Sequence, residues 1–300
     1  MKKHLIVVMA LVAPLAFAAP ALAKEPTGDF AVFKQCPRTT KGVELCLYSE
    51  TTGGSVTLNK QTVPINEDKK HPIILQGGIT NAGEEDEKFV GAVNGETLSK
   101  TAQNVPGGLA GLINCTEIKG EGLLKPLAEL AKALCKEVFE NKTTGVSAVT
   151  ELAKPASEIG INTNNLENRE GVALKLPVKI HLENPLLGSE CYVGSSTTPV
   201  TLNLTTGTTS PPAPNSPISG KVGMISAKDG FEFIELTGNE LVDNAFAAPE
   251  ASGCGGIFSI FIDPLVNSKI GLASAAGKNT AIQKNYIREA TSEGVIKSEK

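Results

Sequence analysis

From Val172 to Glu183 apolar and polar residues alternate without a miss. Val172, Leu174, Leu176, Val178, Ile180 and Leu182 oppose Ala173, Lys175, Pro177, Lys179, His181 and Glu183. Side chains along a β-strand point to opposite faces with a period of two, so this run specifies a strand with one apolar and one wet face. Such a strand belongs to an antiparallel sheet open to solvent on one side. A parallel sheet, covered by helices on both faces, needs apolar residues throughout. Val200, Leu202 and Leu204 repeat the pattern, as do Val43, Leu45 and Leu47 against Glu44, Cys46 and Tyr48.

Further strands are expected at residues 73–75, 89–93 and 231–236. Residues 56–58 and 62–65 should form a short hairpin about Asn59-Lys60-Gln61, with Pro64 at an edge or strand end because it has no N–H for a ladder. Near Val105 the period changes. Leu123, Leu127, Leu130, Leu134 and Val138 recur at three and four, as on one face of a helix, with Pro126 in its first turn. Core packing of that leucine stripe is the expectation, against a membrane-surface helix, because the polar face mixes acids with lysines and lacks aromatic anchors. Residues 205–217, rich in Thr, Ser and Pro, read as a long exposed loop or linker. Residues 257–272 and 278–290 read as helices. The fold class is therefore mainly β (α+β): an antiparallel β-sandwich or barrel-like sheets with a helical insert and C-terminal helices. The segments are 1–23, a leader; 24–104, an N-terminal β region; 105–168, the helical insert; 169–256, a second β region; and 257–300, a helical end with a charged tail. One internal echo runs through Cys46 to Asn59 and Cys191 to Asn203, each leading to Val-Thr-Leu-Asn, and would place two similar β units around the insert.

The leader has a basic start (Lys2, Lys3, His4), an apolar stretch from Leu5 to Phe17 broken by Pro14, and the small-residue cleavage site Ala21-Leu22-Ala23. This reads as an export signal cleaved near Ala23, and no stretch reaches the length of a membrane span. Removing it takes away two lysines and no acid, which moves the formal charge from −4 to −6. That balance argues against nucleic acid and against docking on anionic lipid. With no Trp and three Tyr, flat carbohydrate-binding platforms are scarce.

Six cysteines in an exported chain are expected to form three disulfides. Fifteen connectivities are open. Local context favours Cys36 with Cys46 across a turn and Cys115 with Cys135 across a helical hairpin, which leaves Cys191 and Cys254 for distant parts of the second half. Metal binding is the weaker alternative. No two cysteines have zinc-ligand spacing, no His lies near one, and Cys-x-x-Cys is absent.

No catalytic, cofactor-binding or metal-ligating residue is assigned. His71 lies in a Lys-rich turn before Pro72, and His181 projects to the wet face of its strand. Neither belongs to a Gly-x-Ser-x-Gly or His-Glu-x-x-His motif. Glu232 with Glu235, or the acidic run 84–87, offers carboxylates without the opposed placement that glycoside cleavage needs. The glycines at 253–256 lack the Lys-Ser/Thr of a phosphate loop. Residues 257–266, the most apolar part beyond the leader, are expected in the core, or else in a ligand cavity or lipid-contact patch.

The segment Ser252-Gly253-Cys254-Gly255-Gly256 through Ile262-Asp263-Pro264-Leu265-Val266-Asn267, with the Ala23 cleavage site and the cysteine-bearing β units, resembles uncharacterised exported proteins of actinobacteria. The resemblance implies secretion or residence at a Gram-positive envelope and carries no activity. No Leu-Pro-x-Thr-Gly sorting signal accompanies it. The expected role is non-enzymatic, binding or structural, outside the cell or at its envelope, with a small apolar ligand or an envelope component as partner and neither nucleic acid nor a membrane span. The alternatives are a secreted hydrolase with a site assembled from distant residues, or a carrier of a small apolar ligand. A deep polar cleft would favour the first and a dry cavity the second.

Overall fold

A computed structural model describes residues 24–228, 230 and 232–300; the leader and its cleavage site lie outside the described residues. The chain builds two antiparallel sheets of seven strands each, and neither closes into a barrel. The first runs Met224–Lys228, Phe233–Asp243, Asn279–Thr291, Val43–Leu58, Ile73–Thr80, Lys88–Gly91, with Gln61–Pro64 also beside Val43–Leu58. The second runs Ala251–Ser252, Tyr192–Val193, Leu174–Glu183, Ser147–Leu152, Ala102–Asn104. Val200–Leu204 and Gly160–Ile161 also pair with its central Leu174–Glu183 strand.

The alternating run that opens the sequence is that central strand, starting at Leu174. Its inward Leu174, Leu176, Val178 and Leu182 join Leu47, Leu75, Leu236 and Ile287 of the first sheet in one core. The hairpin about Asn59 also forms. Val56 faces Val63, Leu58 faces Gln61, Asn59 turns the chain at φ 50°, and Pro64 ends its strand.

Residues 278–290 are not helical but form the 13-residue strand Asn279–Thr291, which lies between Phe233–Asp243 and Val43–Leu58. Its inward face carries Asn279, Asn285 and Glu289, all buried. These polar residues break the apolar alternation by which a strand is recognised. They are tolerated because the asparagines find partners. Asn279 donates to the Phe246 carbonyl at 2.8 Å and accepts from Ser274 Oγ at 2.6 Å, and Asn285 accepts from Thr51 Oγ1 at 2.8 Å.

The two sheets are tied along both edges, in different ways. At one edge the main chains bond directly: Thr205 and Val242 exchange N–H···O bonds of 3.0 and 2.9 Å. Beside them the Asp243 carboxylate accepts from Asn203 N and Ala245 N at 2.7 and 2.8 Å. The Thr-rich stretch expected as an exposed loop thus starts as part of this seam, and Thr205, Thr206 and Thr209 are buried. At the other edge the ties run through side chains, with Gln61 Nε2 donating to the Pro106 carbonyl at 3.2 Å and Thr101 Oγ1 to the Pro72 carbonyl at 3.1 Å. Gln103 accepts from Asn66 N at 2.6 Å and donates to the His71 carbonyl at 3.0 Å.

The disulfides pair Cys36 with Cys46, Cys115 with Cys135 and Cys191 with Cys254. The first fixes the Gly28–Gln35 turn segment over the outer face of the first sheet, where Phe33, Val43, Phe233, Ala290 and Val295 form a second small core. The second sets the roll of helix Lys125–Glu140. Cys135 must face Cys115, so Ala131 and Ala128, four and seven residues earlier, share the buried face. The leucine stripe expected in the core is therefore split: Leu127 and Val138 pack partly buried against the core, whereas Leu130 is 51% exposed and Leu123, just before the helix, 99%. Neighbouring Ile257 and Ile260 are likewise exposed, while Phe261, Ile262, Val266 and Ile270 of helix Ser259–Ile270 enter the core. Pro264 lies inside that helix. The echo between residues 46–59 and 191–203 does not yield like units, since Val43–Leu58 is one strand whereas Tyr192–Val193 and Val200–Leu204 are two.

Asp243→Ala would strand two part-buried N–H donors at the main-chain seam. It should lower stability by about 2–4 kcal/mol, read as an earlier midpoint in urea denaturation with the disulfides intact. An unchanged midpoint would show that the seam does not depend on this carboxylate.

Candidate functional site

Between the sheets lies an apolar cavity of about 50 Å³ and, beside it, a second of about 40 Å³. Val56, Ile65, Ile73, Thr150 and Ile180 line both. Leu112 and Ile270, from the helical end of the molecule, contribute to the wall of the first. The sequence places these residues by simple alternation. Val56 and Ile180 occupy inward positions of their strands, and both remain only half-buried because the opposite sheet does not reach them. An apolar cavity stays dry until something apolar fills it.

A polar cleft of about 440 Å³ adjoins this chamber, lined by Pro64, Glu67, Asp68, His71, Ala102, Gln103, Asn104 and Ser147. The strands sort their residues between the two spaces. Asn104 and Ser147 face the cleft while Val105 and Ala148 face the chamber, and Gln103 borders both. In the loop above, Asp68 Oδ2 lies 2.8 Å from His71 Nδ1. The Lys70 N–H, and to a lesser extent the His71 ring, hold the Asp68 carboxyl below its ordinary range. Ser147 lines the same cleft, but no hydrogen bond joins it to His71 among the described residues, so no nucleophile–base pair is formed.

The other residues weighed from sequence go to structural uses. His181 is not an open surface histidine: Tyr192 stacks on its ring at 4.5 Å, and its Nε2 is buried without a partner. Glu232 pairs with Lys297 at 2.8 Å, and Glu235 pairs with Lys228 and accepts from Tyr286. Glu87, from the acidic run, accepts from Thr163 N at 2.8 Å at the start of helix Thr163–Asn168. The glycine segment has its own internal anion, since Asp263 accepts from Gly253 N and Cys254 N at 3.2 and 2.7 Å. Among the described residues no group of three or more His, Cys, Asp or Glu is placed to hold a metal ion, and no helix is long and apolar enough to cross a membrane.

Sequence reasoning missed both Gln103 and Glu289. Gln103 stands in a three-residue strand too short to show a period. Glu289 lay in the segment read as helix. It projects between Leu47 and Ile234 of the flanking strands, and its Oε1 has no partner. Burial, then the nearby Glu167 and Glu87 carboxylates, push its carboxyl up to about 8.

Comparison of the chain with models of known protein families, with curated proteins and with solved structures finds no match.

Glu289 also gives the fold a pH dependence. Its folded pKa is raised, so between about 4.5 and about 8 the folded protein holds a proton that the unfolded chain has released. The Glu289 contribution is fully present at acid pH and is lost as pH rises through that window. Glu289→Gln, which is always neutral, should match the parent near pH 4. It should exceed it at neutral pH by on the order of 3 kcal/mol. Thermal melts at the two pH values check this, and equal shifts at both would count against a protonated Glu289.

Proposed function

We propose that the protein is a non-enzymatic exported binding protein, working outside the cell or at its envelope, that carries a small apolar ligand between its two sheets. The chamber is the observation that carries this reading. It lies between the strands, is lined mainly by aliphatic side chains with Gln61, Gln103 and Thr150 among them, and has a polar cleft beside it. Three disulfides and a β-rich architecture suit an oxidising compartment, in keeping with the export signal read from residues 1–23 and with the resemblance to exported actinobacterial proteins. The hydrolase reading draws on the Asp68–His71 pair and Ser147. It is the weaker of the two because the hydroxyl is not hydrogen-bonded to the ring.

Methyl-detected NMR titration with n-hexane tests the carrier reading. Saturable shifts are expected at Val56, Ile73 and Ile180, and Ile180→Phe, which fills both cavities, should weaken binding by at least about tenfold. Overpacking by that substitution costs about 1–3 kcal/mol, so the variant should remain folded. Shifts that fail to saturate, or that persist unchanged in Ile180→Phe, would overturn the assignment of the chamber as the ligand site. Native mass spectrometry of the oxidised protein purified from culture medium should show a bound small molecule.

A further inference from the structure

We infer that the ligand is an amphiphile whose short apolar tail occupies the chamber and whose hydrogen-bond-donating, amine-bearing head occupies the polar cleft. This rests on the carrier reading and adds the chemical class of the ligand. The two spaces share one lining residue, Gln103. Around it the wall changes from aliphatic to polar within single residues, from Val105 to Asn104 and from Ala148 to Ser147. A ligand that reaches across Gln103 must change polarity at the same point along its length.

The sizes limit the tail. The cavities hold about 50 and about 40 Å³. Both are small beside an apolar cavity of about 150 Å³ that takes up a benzene, so the tail is a short chain. The head is limited by charge. The cleft offers the Glu67 and Asp68 carboxylates, the Asn104 amide and the Ser147 hydroxyl, and no lysine or arginine lines it. Lys69 and Lys70 belong to the same loop but are exposed outside the cleft lining. The His71 ring is turned to Asp68, with Nδ1 2.8 Å from Oδ2. A carboxylate, phosphate or sulfate head would therefore face like charges without compensation, whereas an ammonium group finds acceptors on several sides. A quaternary ammonium would instead want aromatic walls, and the cleft has only the His71 ring.

Gln103 also explains how such a ligand enters. Both of its hydrogen bonds to the far side end on the segment Asn66 to His71, so release of this side chain removes two of the loop's anchors and leaves Asn66 Nδ2 on the Thr52 carbonyl and Thr101 Oγ1 on the Pro72 carbonyl. The opposite edge, held by main-chain bonds, offers no comparable release.

The test compares three probes with one tail on the unmodified protein: octylamine, octanoate and n-octane, each followed by the Val56 and Ile180 methyl signals. Octylamine should bind at least about tenfold more tightly than octanoate, the ratio expected when a charged head gains rather than lacks its partner. Glu67→Gln and Asp68→Asn should each reduce that preference while leaving n-octane binding unchanged. Equal affinities for amine and carboxylate, or a preference for octanoate, would overturn the head assignment and leave the chamber reading standing. Failure of all three probes to perturb the chamber methyls would overturn both. Gln103→Ala should speed ligand exchange without altering the preference between heads; a changed preference with unchanged exchange would remove Gln103 from the entry path.

Discussion

The exchange of main-chain hydrogen bonds between Thr205 and Val242 is the constraint on which the rest of the molecule depends. It joins an edge of one sheet to an edge of the other with bonds that no side-chain substitution removes directly, and the neighbouring Asp243 carboxylate takes up the N–H groups left over. Main-chain bonds leave little latitude in spacing, so the sheets are held close there. At the far edge the ties are made by longer side chains, Gln61 and Gln103. Near that edge the inward residues Val56, Val63, Ile73 and Ile180 are incompletely covered. The chamber is thus a consequence of joining two sheets by unlike means at their two sides.

Elements whose period was unbroken were legible in the sequence. The Leu174–Glu183 strand, the hairpin about Asn59 and the helix at Lys125–Glu140 stand where alternation, turn chemistry and the three-four spacing put them. What escaped were cases in which a tertiary partner outvotes the local pattern. Asn279–Thr291 hides as a strand because Asn279, Asn285 and Glu289 occupy positions that an apolar residue would normally fill. The outward leucines of Lys125–Glu140 escaped because a covalent bond, not hydrophobicity, decides which face is buried. The candidate site was less legible than the fold. Aliphatic residues that line a cavity look the same in sequence as those that fill a core, and Gln103 acts through a loop 32 to 37 residues away.

The outer face of the first sheet shows how a chain without tryptophan uses its few aromatic residues. Arg288 lies over the rings of both Tyr48 and Tyr286 and pairs with Glu50 at 3.2 Å. Burial, then the charge and hydrogen bond of Glu50, push the Tyr48 hydroxyl up to about 12 against the opposing pull of Arg288. The third tyrosine, Tyr192, carries Lys179 at 3.9 Å and stacks on His181. All three tyrosines therefore carry a cation, Tyr48 and Tyr192 from a neighbouring strand and Tyr286 from its own, and the half-wet faces of both sheets are ordered surfaces rather than bare ones.

The roll of the Lys125–Glu140 helix matters at the surface as well. Ala128 and Ala131 face inward beside Cys135, while Leu130 and Leu134 face outward. The Cys115–Cys135 bond thus helps to decide not only what this helix buries but also which aliphatic side chains the molecule shows to its surroundings.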